Sequence, residues 1–521
     1  MGMKTVLHLA IAAVLMGAFV GATDGAGGTT TAAATTPPVT GRAARVDNSA
    51  LIPKLLPDRE VKMEGMSPDW VKTLIMAEIR IETATPEGTF ASAVKVLDHY
   101  AEMGVNGLWV TPIWERGSKG NGYGNFGPGA VEPLLTGAKN PEDSYKAVRQ
   151  FVDEAHKRNI RVLFDIIVWG TAKKAPLVTE HPEFYQKKDG QFVQSWGGWA
   201  FDWKIAELQK WYKPCAVKFI EKTGADGFRV DLAPNTSGYF FKEIRDALYA
   251  KGHKIVIMSE CPSERKDTFD FEQHSIYGPD GPQWFELRND TFFAGNIVDA
   301  VRTGKNVGLR SLRRGGRGGM FRFYVSNVEC HDDKVTFVKG NRVRFAYASI
   351  FAPYIPLWWI GEEWDNPYAI IEGSQGPWML FNTINWSWRD NQGRAFFEDA
   401  KKYIRIRRSY PEIFEQFPDC ARDANIAKID SKRGGVPNNL QAYARYGSGK
   451  AVLVVPNYNS GGEARFQVVP DYKALGLGGS KSYRITDLMT GVCVVEKAEP
   501  GKNFTVSIPA EHLGVYLVEG N

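Results

Sequence analysis

Ionisable side chains recur at one kind of place in this sequence, the ends of short β-branched apolar runs. Asp165 sits in IRVLFDIIVW, Arg229 and Asp231 in DGFRVDLA, Glu260 closes KIVIMSE, and His331 and Asp332 follow FRFYVSNVE. One carboxylate beside a strand end is commonly a loop cap or a solvated group. Carboxylates at the ends of several strands, with an arginine and a histidine among them, are hard to explain as surface decoration. Clustered acids raise one another's pKa and cost stability, which is tolerated mainly where chemistry needs it. Arg229 stands two residues before Asp231, so on a strand both point to one face, where the guanidinium would keep Asp231 ionised.

The elements that must position these groups follow from the periodicity. From about Leu74, short β-branched runs alternate with amphipathic helical runs, as in a parallel α/β sheet. The candidate strands are TLIMAEIRI, VNGLWVTPI, IRVLFDIIVW, DGFRVDLA, KIVIMSE, TFDFEQ, FRFYVSNVE and YIPLWWIG. Between them, Asn140 is a candidate N-cap, with Pro141 at the first helical position, Glu142 and Asp143 in the first turn, and an apolar stripe of Tyr145, Val148, Val152 and Ala155. Arg394 to Arg408 is expected as the last barrel helix, buried through Phe397, Ala400 and Ile404. Eight strand–helix units predict a (β/α)8 TIM barrel, in which the C-terminal strand ends converge on the active site. After Pro411 the segments LQAYARYG, KAVLVVPNYN, SYRITDLM, FTVSIPA and GVYLVEG alternate apolar and polar residues between Gly-rich turns, predicting a C-terminal antiparallel β-sandwich. The expected division is a catalytic barrel over 51–410, with a short domain B at about 169–207, and a sandwich over 411–521.

Composition bounds the rest. The 521 residues are 43% hydrophobic and 24% charged with a net charge of +5, an ordinary globular balance that excludes general disorder and a polyanion-coating surface. Lys4 followed by the apolar run 6–22 reads as a signal peptide cleaved after Ala22, which predicts a secreted or periplasmic protein with no membrane attachment after cleavage. Residues 23–50, rich in Thr, Ala, Gly and Pro, read as a flexible linker. The five cysteines show no C-x-x-C spacing and no metal cluster. RRGGRGG at 313–319 reads as a solvated loop, so no nucleic-acid partner is expected. GSKGNGYGNFGPG lacks the Lys-Ser/Thr pair of a phosphate-binding loop. Fifteen Trp residues fit both core packing and stacking against sugar rings. The sequence leaves the oligomeric state open.

GFRVD at 227–231, preceded by GAD, resembles the nucleophile motif of the alpha-amylase family, glycoside hydrolase family 13. IVIMSE ending at Glu260 is similar to its acid/base strand, ECHDD at 329–333 to its N-H-D motif, and LFDIIVWG around Asp165 to its strand-three motif. GLWVTPIWE with the following GYG, YIPLWWIGEEW and NTINWSWRD fit the pattern in order, so the resemblance covers roughly residues 74–521. It implies a retaining α-glycoside hydrolase acting on α-linked glucosides or maltooligosaccharides, with an oligo- or polysaccharide as its partner. Asp231 would attack the anomeric carbon, Glu260 would act as acid and then base, and Asp332 would steady the oxocarbenium-like transition state. Arg229 would keep Asp231 ionised, with Asp165 supporting Arg229. His331 would bind a hydroxyl of the sugar, and Tyr123 would stack under its ring. Glu260 is then expected to carry the proton, its pKa raised by ionised Asp231 and by burial.

The departures from the family pattern fall on specificity rather than on the reaction. Trp169 and Gly170 stand where the strand-three motif closes Asn-His, and Cys330 replaces an Asn. The missing oxygen ligand at Trp169 and the short insert after it do not support the family's calcium site, so no cofactor and no metal are expected. Trp196, Trp199 and Trp203 in that insert are candidates for an aglycone site or for packing. A transglycosylase or disaccharide isomerase would use the same trio. A catalytically dead carbohydrate-binding barrel is the alternative of another class, against which stands the intact set of Asp231, Glu260 and Asp332.

Overall fold

All eight apolar runs form strands, and they pair in parallel in chain order until the last meets the first. In the computed structural model they are β1 (Met76–Ile79), β2 (Gly107–Val110), β3 (Arg161–Ile167), β4 (Gly227–Asp231), β5 (Val256–Glu260), β6 (Phe271–Gln273), β7 (Phe323–Ser326) and β8 (Ile355–Trp359). The structure describes residues 68–117, 120–236, 240–260, 271–273, 323–326, 331–332, 342–352, 355–372, 374, 376–414, 425–437, 440–458 and 461–521. The expected signal segment 1–22, the linker 23–50, the start of the barrel region before Pro68, the basic run 313–319, Cys261, Cys330 and Cys420 lie outside the described residues. Among the described residues, no helix is long and apolar enough to cross a membrane.

The period-2 alternation of each strand explains the barrel's filling. Met76, Trp109, Leu163, Val256, Met258, Ile355 and Leu357 form one buried cluster, and Val71 and Leu74 from the entry segment join it. Two residues further along the same inward rows, the apolar side chains give way to Glu78 on β1, Asp165 on β3 and Glu260 on β5. On β4 the inward row reads Gly227, Arg229, Asp231. The outward rows, with Ile75, Ala77, Leu108, Val162, Phe164, Phe228, Val230 and Ile257, pack against the surrounding helices. Each large apolar side chain buried this way contributes about 1.5–3 kcal/mol, against about 0.3–0.5 kcal/mol for surface pairs such as Arg149–Asp153. Burial, not surface charge, decides the fold.

The helix Pro141–Lys157 follows its expected signals. Asn140 accepts from the Asp143 N–H at 2.9 Å, and Tyr145, Val148, Val152 and Ala155 are buried. The last barrel helix runs Arg394–Ser409 and buries Phe397, Ala400 and Ile404. Between β3 and the helix Ala206–Thr223, the short insert folds as small antiparallel pairs: Gly170–Thr171, Gln194–Ser195 and Gly198–Ala200 in one sheet, Lys187–Lys188 with Gln191–Phe192 in another. Its tryptophans divide by environment. Trp203 is core, its indole donating to the Val168 carbonyl at 2.8 Å. Trp199 is half-buried against Phe192 and Lys173, and Trp196 stands exposed on the turn.

The C-terminal region is the expected sandwich, a six-stranded sheet facing a four-stranded one. Strand Lys450–Asn457 shows how it attaches. Leu453 and Val455 face the four-stranded sheet, where Phe466, Val468, Val506 and Ile508 complete the core. The alternate residues Val452 and Val454 join the barrel's own core. Tyr443 donates to the Tyr347 carbonyl at 2.8 Å, and Tyr347 donates to the Gln441 carbonyl at 2.6 Å, closing the interface with satisfied polar groups.

Candidate active site

Register brings the predicted residues to one end of the barrel. Asp165 lies opposite Arg229, and Ile167 opposite Asp231, between β3 and β4. Arg229 lies opposite Met258, and Val230 opposite Ser259, between β4 and β5, so Asp231 and Glu260 end adjacent strands side by side.

One guanidinium organises the acids. Arg229 Nη1 donates to Asp165 Oδ1 and Oδ2 at 3.0 and 2.9 Å and to Asp231 Oδ1 at 2.9 Å, while Nη2 lies 3.2 Å from Glu260 Oε2. Its plane is backed by the Trp109 ring, with the guanidinium carbon 4.7 Å from the centroid. Asp165 also accepts from the Tyr123 hydroxyl at 2.9 Å and from the Trp109 indole at 3.3 Å. The support of Arg229 by Asp165 expected from the sequence is therefore direct. Burial nonetheless raises the Asp165 carboxyl, to about 6, against the pull of Arg229.

Asp231 and Glu260 share the Arg229 guanidinium, which lies 2.9 Å from Asp231 Oδ1 and 3.2 Å from Glu260 Oε2, and they titrate as a pair that favours holding one proton. Its position reverses the expectation. Burial and the neighbouring Glu260 charge push Asp231 well above the usual carboxylate range. Glu260 is buried too, but Arg229 and the Leu232 N–H, which donates to Oε2 at 2.9 Å, hold it below its ordinary value. Leu232 reaches that position in a left-handed conformation, φ 47° and ψ 49°, the strained geometry that concentrates at functional sites. Sequence reasoning placed the guanidinium beside Asp231 but not beside Glu260, which Arg229 lowers first and the Leu232 N–H second.

His331 and Asp332 complete the cluster from the loop after β7. His331 is buried and stacks on Tyr123, with ring centroids 5.0 Å apart and an interplanar angle of 12°. Its Nε2 lies 3.3 Å from Asp332 Oδ1, and the Asp332 side chain is 36% exposed, the most accessible acid of the trio. Tyr123 sits on the Gly-rich loop as expected. Gly122 turns that loop with φ +90°, where a Cβ would stand 3.0 Å from the Pro112 carbonyl oxygen. Arg80 ties the loop down, bonding to the Gly120 and Leu380 carbonyls at 2.5 and 3.0 Å, and the Leu380 N–H donates to the His331 carbonyl at 3.0 Å.

Two contributors were missed in the sequence, Glu78 and Trp109. Glu78 is fully buried at the end of β1, with Oε1 2.5 Å from His331 Nδ1. The signal was available, since TLIMAEIRI carries the charged residues Glu78 and Arg80 in its inward register near the strand end, much as GFRVD carries Arg229 and Asp231.

The departures have a physical basis. At Gly170 a Cβ would stand 1.9 Å from the Trp199 carbonyl oxygen, so the insert's first strand leaves no room for the family's histidine. Trp169 is buried and its carbonyl is bonded to the Phe201 N–H. These two residues do not fit a calcium site, and no step is derived through that ion. Among the described residues, no group of three or more His, Cys, Asp or Glu is placed to hold a metal.

Comparison with known proteins agrees with this fold. No protein-family model matches the chain. Malto-oligosyltrehalose trehalohydrolase of Saccharolobus solfataricus is 24% identical over 402 residues, 65% of this chain and 69% of that protein. An alpha-amylase of Haloarcula japonica is 22% identical over 76% of this chain and 56% of its own length. The chain is thus similar along most of its length to enzymes of the alpha-amylase family. Solved structures of that fold superpose over most of it: a noncanonic maltogenic alpha-amylase from Thermotoga neapolitana gives a TM-score of 0.62 at 18% identity, covering 86% of this chain and 99% of its own. An Anoxybacillus alpha-amylase gives 0.64 at 15% identity, with 86% and 98% covered. The barrel and sandwich are thus the fold of these alpha-amylases. The matched part spans only about half to seven-tenths of the length of these sequence relatives.

Proposed function

We propose that the protein is a retaining α-glycosidase acting on α-linked glucosides or maltooligosaccharides, relatives of the chain being named for malto-oligosyltrehalose and cyclomaltodextrin. The observation that carries the reading is the Asp231–Glu260 pair, two carboxyl groups ending adjacent strands and both held by Arg229. Carboxyls this close leave no place for a water behind the sugar, which favours attack by the carboxylate itself and a covalent glycosyl-enzyme. Asp231 is the nucleophile and Glu260 the acid, then the base. In the free protein the pair's proton lies toward Asp231, so the bound glycosidic oxygen receives it through Glu260. That transfer leaves Asp231 ionised beside Arg229, ready to attack. Asp332 and His331 would bind ring hydroxyls, and the Tyr123 ring would lie under the sugar.

Steady hydrolysis of an activated aryl α-glucoside, with early product anomers read by NMR, tests the reading. Retained configuration supports it; inversion, or full turnover without Asp231, overturns it. A panel of maltooligosaccharides, trehalose-capped maltooligosaccharides, sucrose and isomaltose identifies the linkage and separates hydrolysis from transfer. Export after cleavage near Ala22 and activity independent of calcium are part of the same proposal. The first is overturned by natively expressed protein that retains Met1, the second by activity lost in chelator and restored by calcium alone.

A further inference from the structure

The surroundings of His331 assign a task to Glu78. The imidazole lies between two carboxyl groups, Nδ1 at 2.5 Å from Glu78 Oε1 and Nε2 at 3.3 Å from Asp332 Oδ1. Tyr123 covers one face and the Trp109 edge meets the ring at 5.4 Å. A neutral imidazole keeps a lone pair on one nitrogen, and here that lone pair would face a carboxylate whichever tautomer formed. With Glu78 ionised, only an imidazolium donates to Glu78 and keeps a proton toward Asp332. Burial raises the Glu78 carboxyl and the facing His331 lowers it, so where the proton of this pair sits is what the experiment below reads. Glu78 is held rigidly for this purpose, fully buried on β1 with Trp109 and Trp359 opposite it on the neighbouring strands. Its Oε2 has no hydrogen-bond partner among the described residues, so the side chain's one polar contact is His331.

We infer that Glu78 is a positioning residue that keeps His331 a doubly protonated imidazolium, fixing Nε2–H as a donor toward Asp332 and the sugar hydroxyl beside it. The sugar hydroxyl rests on the glycosidase reading; the charge state of the ring does not. The other charged groups facing the ring are Arg229 from β4, which opposes its protonation, and Asp165 from β3 and Glu260 from β5, which the imidazolium stabilises as anions. The Tyr123 hydroxyl faces Asp165 and is pushed well above its usual range by burial, so it adds no charge. Burial lowers the imidazole, yet the Asp332 and Glu78 carboxylates outweigh it and raise His331 to about 9.

Protein labelled with 15N-histidine tests this without substrate, His331→Asn identifying the His331 signals among those of the eight histidines. At pH 7.5 both ring nitrogens of His331 should be protonated, with the ring titrating near 9. In Glu78→Gln, which keeps the shape and removes the charge, the titration should fall by about one unit or more. The wild-type to E78Q ratio of kcat/KM on an aryl α-glucoside should then grow as pH rises from about 6 to 8.5. A neutral His331 in the wild-type protein at pH 7.5, or an unmoved titration in E78Q, overturns the inference. The wild-type spectrum decides even if the variant does not fold, and a protein with charged His331 but no glycosidase turnover would fail the functional reading alone.

Discussion

Two buried glutamate–histidine pairs stand in this molecule, and they are built to opposite ends. On the barrel's flank His99 Nε2 lies 2.9 Å from Glu363 Oε1, and its Nδ1 lies 3.2 Å from Arg389 Nη1. A guanidinium only donates, so Nδ1 must accept and Nε2 must carry the proton: the ring is neutral. Glu363 Oε2 accepts from the Gly361 N–H at 2.8 Å, and Phe397, Trp364 and Trp386 enclose the imidazole. Both ring nitrogens and both Glu363 oxygens have complementary partners. At the catalytic end the His331 ring faces carboxylates on both sides, and one Glu78 oxygen has no partner among the described residues. Burial lowers His99, whereas the facing acids raise His331. A satisfied network stabilises a fold, while a network of like charges around one cation is tolerated where charge must be ready to move.

If that contrast holds, substitutions at the catalytic end should damage turnover and spare the fold. The largest effect belongs to Asp231→Ala, which should lower kcat by about 10⁴-fold or more on every substrate, with an unchanged circular dichroism spectrum. Turnover within tenfold of wild type would break the comparison at its centre. Glu260→Ala should lose about 10²–10⁴-fold on maltooligosaccharides and much less on aryl glucosides with good leaving groups, which need no proton. Azide should partly restore it, since a small anion can replace the general base in the second step. Equal losses on both kinds of substrate would remove Glu260 from the acid role.

The flank pair should respond the other way. His99→Ala leaves the Glu363 carboxylate buried without its imidazole and should cost about 3–5 kcal/mol in denaturant titration, with kcat/KM of the folded protein unchanged. Its pH dependence has a definite sign. The folded-state pKa of His99 lies below the ordinary 6.5, so its contribution is present above that value and fades as pH falls toward the lower folded pKa. His331 has the opposite sign, its contribution present below 6.5 and lost as pH rises through about 9. Wild-type stability relative to His99→Ala should therefore shrink on acidification from pH 7 to 5. A constant difference would mean that His99 is not held neutral.

The sequence showed the catalytic end better than its electrostatics. Strand periodicity located all eight barrel strands, and the inward register of Asp165, Arg229, Asp231 and Glu260 followed from counting alternate residues. The helix starting at Pro141 was legible from Asn140 and its acidic first turn, because capping is a local interaction. Glu78 was readable by the same counting and was passed over, since its partner His331 is distant in the chain and only barrel closure joins them. The resting place of the Asp231–Glu260 proton was not readable at all. It depends on Arg229 reaching Glu260 and on the Leu232 N–H, presented by a left-handed turn that no residue type at that position announces. The flank pair was equally hidden, because His99, Glu363 and Arg389 come from three elements brought together by packing.

The smallest expected effect asks whether the catalytic end really costs stability. Asp231 is raised well above its ordinary 3.8 by burial first and by the Glu260 charge second, with Arg229 opposing. An acid raised in the folded state contributes stability that is fully present below its unfolded pKa and is lost as pH rises through the folded one. At pH 5 the wild-type protein still holds the proton near Asp231, so Asp231→Asn changes little. At pH 8 the wild type is pressed to give that proton up, and the neutral amide is not. Asp231→Asn should therefore be more stable than wild type by about 1 kcal/mol or more at pH 8, with a smaller gain at pH 5, while its turnover collapses. Glu363→Gln on the flank should destabilise at both pH values, because its amide would point a donor at the Gly361 N–H or at the His99 N–H. Thermal midpoints of both variants at the two pH values decide the matter. A gain for Asp231→Asn that does not grow from pH 5 to 8 would mean that Arg229 outweighs burial, and that the nucleophile rests ionised.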